Sequence, residues 1–181
     1  MFNAFVNFLK DGTLRFPNPR RDTVLKASFR FLTDLFAFAS RFDSIPLRNA
    51  LLDQFFLRVY GEPDRLPMMS IHDVYDKTSD NSSLRDLVVT IIINIGDGGL
   101  VESYQRDVPR EFLADCLKTA GEDGIVPFAN KDKKKVKAWL EEKKDKMCRH
   151  YHVHEGESDE DVAMDVDMEF VGEISRLTIR Y

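Results

Sequence analysis

Apolar residues recur along this chain at the spacing of helix faces, and the sharpest case is Leu32 to Tyr60. Leu32, Leu35, Phe36, Ala39 and Phe42 fall at i, i+3, i+4, i+7 and i+10, which is one face of a helix. Leu47, Ala50, Leu51, Phe55 and Val59 form a second stripe after a short break. Asp43 and Ser44 suit the cap of that second helix, and Pro46 sits near its first position, where a missing N–H costs nothing. Two stripes across a tight turn predict an antiparallel helical hairpin. Leu25 and Phe29 keep the phase of Leu32, so periodicity lets the first helix of the pair begin as early as Thr23.

The same patterning predicts further helices on both sides. Phe2, Phe5, Val6 and Leu9 make a stripe that Asp11-Gly12 stops. The prolines of Phe16 to Arg21 mark a loop, and Gly61 to Pro67 breaks the chain after the hairpin. Ser70-Ile71-His72-Asp73 has capping-box spacing with Asp in the place of Glu. Ile71, Val74, Tyr75 and Thr78 follow on one face, and Thr78 to Ser82 reads as a polar turn. Ser83 to Asp86 repeats the cap signal. Behind it Leu84, Leu87, Val88, Ile91, Ile92 and Ile95 fall at i, i+3, i+4, i+7, i+8 and i+11. The β-branched content admits a buried strand, but the length and the in-phase positions favour a helix that Gly96 to Gly99 ends. Arg85 lies off this stripe, so it is expected in solvent.

Asp107-Val108-Pro109 opens another helix, with Phe112, Leu113, Cys116 and Ala120 inward and Gly121 at its end. Glu122 to Asn130 is a loop. Lys131 to Met147 carries Val136, Trp139, Leu140 and Met147 on one stripe and lysines elsewhere. Glu155 to Glu169 holds eight acidic residues and no basic one. A stretch of that composition predicts a disordered acidic tail over 155–181. Leu177 to Tyr181 alternates like a strand. The fold class expected is mainly α: a bundle of seven or so helices with that tail.

Composition narrows the function classes. A chain of 181 residues suits one domain, or one domain plus a tail. Apolar residues at 43% against 31% charged allow a real core, and a net charge of −5 argues against a general nucleic-acid binder. Cys116 and Cys148 are far apart, which predicts free thiols in a reducing compartment, cytoplasmic or nuclear. Met1 to Leu9 lacks the basic start and cleavage site of a secretory signal. The longest apolar run, Val88 to Ile95, is too short to span a bilayer, so no membrane partner is expected.

One cluster has residue types that carry chemistry. Cys148, His150, His152 and His154 lie within seven consecutive residues. If that stretch is extended, the three histidines share a face and, with a thiolate nearby, suit zinc or nickel. If it is a helix end, they gain from the dipole instead. Lys131 to Lys137 is either a basic patch or the solvated side of a helix, and interspersed acids favour the latter. His72-Asp73 next to Tyr75 resembles a proton relay but has no placed nucleophile, and no G-x-S-x-G, phosphate loop or H-E-x-x-H occurs. No catalytic, cofactor-binding or metal residue is assigned, and a non-enzyme is expected.

Four segments resemble the BTB/POZ family. Leu32, Leu35, Phe38, Ala39, Arg41, Phe42, Ile45 and Leu47 match the pattern of its last two helices, with Ser44 as one extra residue in the turn. Val74, Tyr75, Thr78, Ser83, Leu84, Arg85, Leu87 and Val88 are similar to a signature of the helical extension in fungal BTB proteins. Cys148, Tyr151, His152 and His154 are similar to a C-x-x-Y-H-x-H run there, to which no metal role attaches. Phe2 to Leu14 resembles the segment before the final helix pair, with Phe8-Leu9-Lys10-Asp11-Gly12 standing for Trp-Leu-Tyr-Thr-Gly. The strand-rich first half of a BTB domain is not in the sequence.

The resemblance divides the chain into a partial BTB-like region (1–60), a helical extension (61–154) and the tail (155–181). It implies a protein–protein interaction module that self-associates or serves as an adaptor, cullin-type ubiquitin ligases being partners of some BTB proteins. The alternative is a metal-binding protein built on Cys148, His150, His152 and His154. Eleven of the fourteen phenylalanines lie in the first 60 residues. Without the sheet half of a BTB fold, the stripes Phe2-Phe5-Leu9 and Phe29-Phe36 need another cover, and exposed apolar surface with self-association is expected.

Overall fold

A computed structural model describes residues 2–12, 14, 28–63, 71–96, 108–127 and 132–154. Among these the chain forms seven α-helices and no strand: α1 (Phe2–Asp11), α2 (Phe29–Arg41), α3 (Ile45–Gly61), α4 (Ile71–Lys77), α5 (Ser83–Ile95), α6 (Arg110–Glu122) and α7 (Lys133–Tyr151). The mainly α-helical class expected from periodicity is the class observed. The tail after His154, the loop at Phe16 to Arg21, Ser70 and the alternating Leu177 to Tyr181 lie outside the described residues.

α2 and α3 form the expected hairpin. Leu32, Leu35, Phe36 and Ala39 face Leu47, Leu51, Phe55 and Val59 in the interior. α2 starts at Phe29, later than the Thr23 that periodicity allows. The Ser28 hydroxyl fixes that start by accepting from the Phe31 N–H at 3.1 Å. The turn is closed by backbone rather than by side-chain caps. The Asp43 N–H bonds to the Ser40 carbonyl and the Ser44 N–H to the Ala39 carbonyl, which is a Schellman closure. Asp43 takes the left-handed position this needs, at φ 48°, a place aspartate tolerates through local hydrogen bonds. Ser44 is the N-cap of α3, yet its side chain makes no capping bond. The capping role expected of Asp43 and Ser44 is corrected accordingly.

α5 runs through the middle of the molecule against α3, α4, α6 and α7. It is a helix, as its length indicated. Because neighbours surround it, Val89 and Ile93 are buried along with Leu84, Leu87, Val88, Ile91 and Ile92. Burial on most sides outweighs the modest helix propensity of its β-branched residues. Its N-cap is Ser82, whose hydroxyl accepts from the Leu84 N–H, one residue before the expected cap.

Two elements differ from their sequence reading. In α1 the interior side is Ala4 and Phe8, with Phe5 and Val6 partly buried, and Leu9 is 63% exposed. The stripe is therefore rotated from Phe2-Phe5-Leu9. α1 ends at Gly12, whose N–H bonds to the Phe8 carbonyl at φ 68°. α6 continues past Gly121. It closes at Gly124 (φ 63°) with Gly124 N–H to Gly121 O and Ile125 N–H to Ala120 O, again a Schellman closure.

One hydrophobic core draws on α1 through α7. Phe36, Phe55, Phe56 and Phe112 are fully inside it. Phe29 packs on Phe55 with ring centroids 4.8 Å apart and lies beneath the Arg58 guanidinium. The Phe29-Phe36 stripe thus finds cover within the chain. No described helix is long and apolar enough to cross a membrane.

Candidate interaction site

The α4–α5 junction sets one wall of a groove. Arg85 is 7% exposed, against its expected place in solvent. A buried guanidinium needs its donors satisfied, and the turn supplies the acceptors. Nε donates to the Thr78 hydroxyl (3.1 Å), Nη2 to the Tyr75 carbonyl (2.7 Å) and the Thr78 carbonyl (2.5 Å), and Nη1 to the Asp80 carboxylate (2.7 Å). The guanidinium also lies 4.4 Å from the Tyr75 ring centroid, a cation–π contact. These are the last-turn carbonyls of α4 that a helix end leaves unpaired. Arg85 is thus the C-terminal cap of α4, delivered from α5. Tyr75, Thr78 and Arg85 meet at this point.

Tyr75 continues the network into α6. Its hydroxyl donates to Asp115 at 2.5 Å. Burial, then the Asp115 carboxylate, keeps the phenol protonated far above its ordinary range. Burial also pushes the neighbouring Cys116 thiol up to about 12, with Asp115 adding to the effect, so this cysteine is an inert core residue. The relay suggested by His72-Asp73 beside Tyr75 is not assembled. His72 is exposed, Asp73 pairs with Lys77 and Arg30, and Tyr75 turns to Asp115.

The groove has a volume of about 890 Å³ and runs between the C-terminal half of α2, the α4–α5 turn, α6 and the end of α7. Arg41, Arg48 and Lys118 line it together with Asp80, Asp86 and Asp115. Desolvation by the groove walls, then the charge of Asp115, raises the Asp86 carboxyl above its usual range, with Lys118 and Arg85 opposing. Mixed charge on a polar lining fits a polar peptide better than a small apolar ligand.

The cysteine–histidine cluster is split by the end of α7. Met147 and Tyr151 continue the Leu140 stripe into the core, so the helix holds through Tyr151 and the chain is extended only from His152. His152 turns to α3 and meets the Asp53 carboxylate at 2.9 Å. Beside it the Asn49 side chain clasps Val153, donating to its carbonyl (2.8 Å) and accepting from its N–H (3.1 Å). His154 Nε2 lies 3.8 Å from Cys148 Sγ on the exposed side. The face expected to unite His150, His152 and His154 does not form. Among the described residues, no three His, Cys, Asp or Glu side chains stand as a metal-binding group. Lys133, Lys134, Lys135 and Lys137 are on the solvated side of α7.

A second surface lies at the α1–α2 edge and was only partly readable from the chain. Phe38 packs edge-on against Phe5 (centroids 5.0 Å) and against Phe42 (4.6 Å), and Phe5 stacks on Phe42 (6.2 Å). Phe42 remains 64% exposed and Leu9 63%. Phe42 extends the α2 stripe one turn past the point where α3 can cover it.

No known family model, characterised protein or solved structure matches this chain.

Proposed function

We propose that the chain is a non-enzymatic protein–protein interaction module of BTB/POZ type that binds through the aromatic edge of α1 and α2 and self-associates there. The observation that carries this is the Phe5–Phe38–Phe42 cluster, three mutually packed rings of which Phe42 is left in solvent, with Leu9 of α1 also exposed. Packed aromatics with an open outer face are rigid anchors that lose little entropy on binding. In a BTB fold the corresponding helices would meet the strand-rich half, so the reading and the exposure agree in location. An adaptor role toward other proteins, cullin-type ligases among them, and a cytoplasmic or nuclear setting accompany this reading.

The test is light scattering of the chain over a wide concentration range, with Phe42→Asp beside the wild type. The expected result is an average mass that rises with concentration for the wild type and stays at the monomer value for Phe42→Asp. A wild-type monomer throughout would overturn self-association through this edge.

A further inference from the structure

α2 serves two surfaces of this molecule. It turns Phe38 and Phe42 to the aromatic edge and Ala37, Ser40 and Arg41 to the groove of about 890 Å³. The fold uses only part of that groove's polar lining. Lys77 is bound by Asp34 at 2.6 Å and Asp73 at 3.1 Å. Asp80 takes Arg85 at 2.7 Å, and Asp115 accepts from the Tyr75 hydroxyl at 2.5 Å. The side chains of Arg41 and Lys118 are exposed and make no ion pair or hydrogen bond among the described residues. Arg48 is held only through Nη2, by an Asp43 carboxylate 3.3 Å away that is 86% open to water, and its Nε is buried without an acceptor. Buried donors are nearly always answered in a finished fold. The side chains of Ser79, Asn81 and Ser83 on the turn have no hydrogen bond among the described residues either. Asp86 is the one lining acid among the described residues left without an ion pair or hydrogen bond.

We propose that this groove binds an acidic peptide segment of a partner protein, whose carboxylates pair with Arg41, Arg48 and Lys118 and whose backbone is held by the Ser79–Ser83 turn. Charge complementarity selects the sign. Three cations with donors to spare stand against one unengaged acid, and a guanidinium fork matches a carboxylate in two parallel hydrogen bonds. A basic segment has no such welcome. Beyond Asp86 it would have to take Asp80 from Arg85 or Asp115 from Tyr75. Shape and lining select a peptide. The volume lies toward the upper end of the about 300–1,000 Å³ of ligand sites. Serine hydroxyls and an asparagine amide both donate and accept, which answers the N–H and C=O of a backbone. Asp86 sets the register. The Lys118 charge acts on it, so that end of the groove is half cancelled and the carboxylates of the ligand fall toward Arg41 and Arg48. The site stands apart from the aromatic edge, because Phe38 and Phe42 are on a different face of α2.

The experiment is an amide NMR titration of the full ¹⁵N chain with hexaglutamate and, separately, with hexalysine. The chain carries Phe42→Asp, so that contacts through the edge do not add shifts, and the wild type kept dilute is the second background. The edge is read by mass and the groove by shifts, so either reading can fail alone. The expected result is saturable shifts from hexaglutamate centred on residues 37–41, 79–83 and Lys118, with none there from hexalysine. They shrink between about 0.1 M and about 1 M salt, where the screening length falls from about 10 Å to about 3 Å. Arg41→Gln/Lys118→Gln removes two exposed side chains that have no partner to lose, and it should weaken hexaglutamate about fivefold with the spectral dispersion unchanged. Asp86→Asn should tighten it about twofold. Hexaglutamate shifts at Lys134 to Lys137 of α7 in place of the groove, an equal response to both peptides, or an affinity that Arg41→Gln/Lys118→Gln leaves unchanged overturns the proposal. Free glutamate binding as tightly as hexaglutamate would make this a small-anion site and overturns the peptide as occupant.

Discussion

The α4–α5 junction and the α1–α2 edge invert each other. At the junction a charged residue is inside: Arg85 is 7% exposed, and its guanidinium donates to the Thr78 hydroxyl, the Tyr75 and Thr78 carbonyls and Asp80 beside the Tyr75 ring. At the edge an aromatic residue is outside: Phe42 packs on Phe5 and Phe38 yet is 64% exposed. The buried arginine ties one helix end to the next. The exposed ring contributes little to the core and is available. A polar residue inside is thus a fold device in this molecule, and an apolar residue outside is where the proposed binding falls.

That contrast can be broken or sharpened by substitution. The largest effect is expected in the helix that the junction anchors. Ile91 is fully buried in α5, so Ile91→Ala should destabilise by about 2–5 kcal/mol in denaturant unfolding. Arg85→Ala comes next, at about 2–3 kcal/mol, because the Tyr75 and Thr78 carbonyls lose their charged donor. Its Asp80 partner is itself open to water and adds little. Arg85→Lys should recover only part of this, since a single ammonium cannot reproduce the planar fork. An Arg85→Ala midpoint equal to wild type would mean the arginine is solvated after all.

Phe42→Asp should move stability by no more than about 0.5 kcal/mol, as for a surface site, while abolishing self-association. A collapse of stability there would make Phe42 a core residue and erase the contrast. The smallest effect is electrostatic. The folded state raises the Asp86 carboxyl, so ionised Asp86 disfavours folding at neutral pH, and that penalty vanishes once pH falls below the ordinary carboxylate range, where the group is protonated in both states. Asp86→Asn should therefore raise the melting temperature slightly at pH 7 and leave it unchanged in acid. A gain that is equal at both pH values would contradict the groove environment described for it.

The hairpin was legible because two long, regular stripes lie on either side of a short turn. α5 was legible as a helix by the length and phase of its stripe, but Arg85 was not. Its burial depends on the Thr78 and Tyr75 carbonyls, which a phase diagram of one helix does not contain. The signal that existed was local: Thr78, Asp80 and Ser82 lie within seven residues before Arg85 and offer acceptors to a turn. α1 is apolar on most sides, so its rotation was decided by Phe38 and Phe42 on another helix. The histidine cluster was open between an extended face and a helix end, and Leu140, Met147 and Tyr151, which keep helical phase up to its middle, carry the helix end that forms. Backbone closures at Asp43 and Gly124 replaced the caps expected at Asp43, Ser44 and Gly121, since a left-handed residue can end a helix wherever packing calls for it.

The central claim, that the edge binds and the junction holds, is tested most directly by amide NMR of the wild-type chain as its concentration is raised. The account predicts shifts confined to α1 and to the stretch from Phe38 to Phe42, with Tyr75, Thr78, Arg85 and Asp115 unmoved. Shifts centred on the α4–α5 junction, or none anywhere, would contradict it.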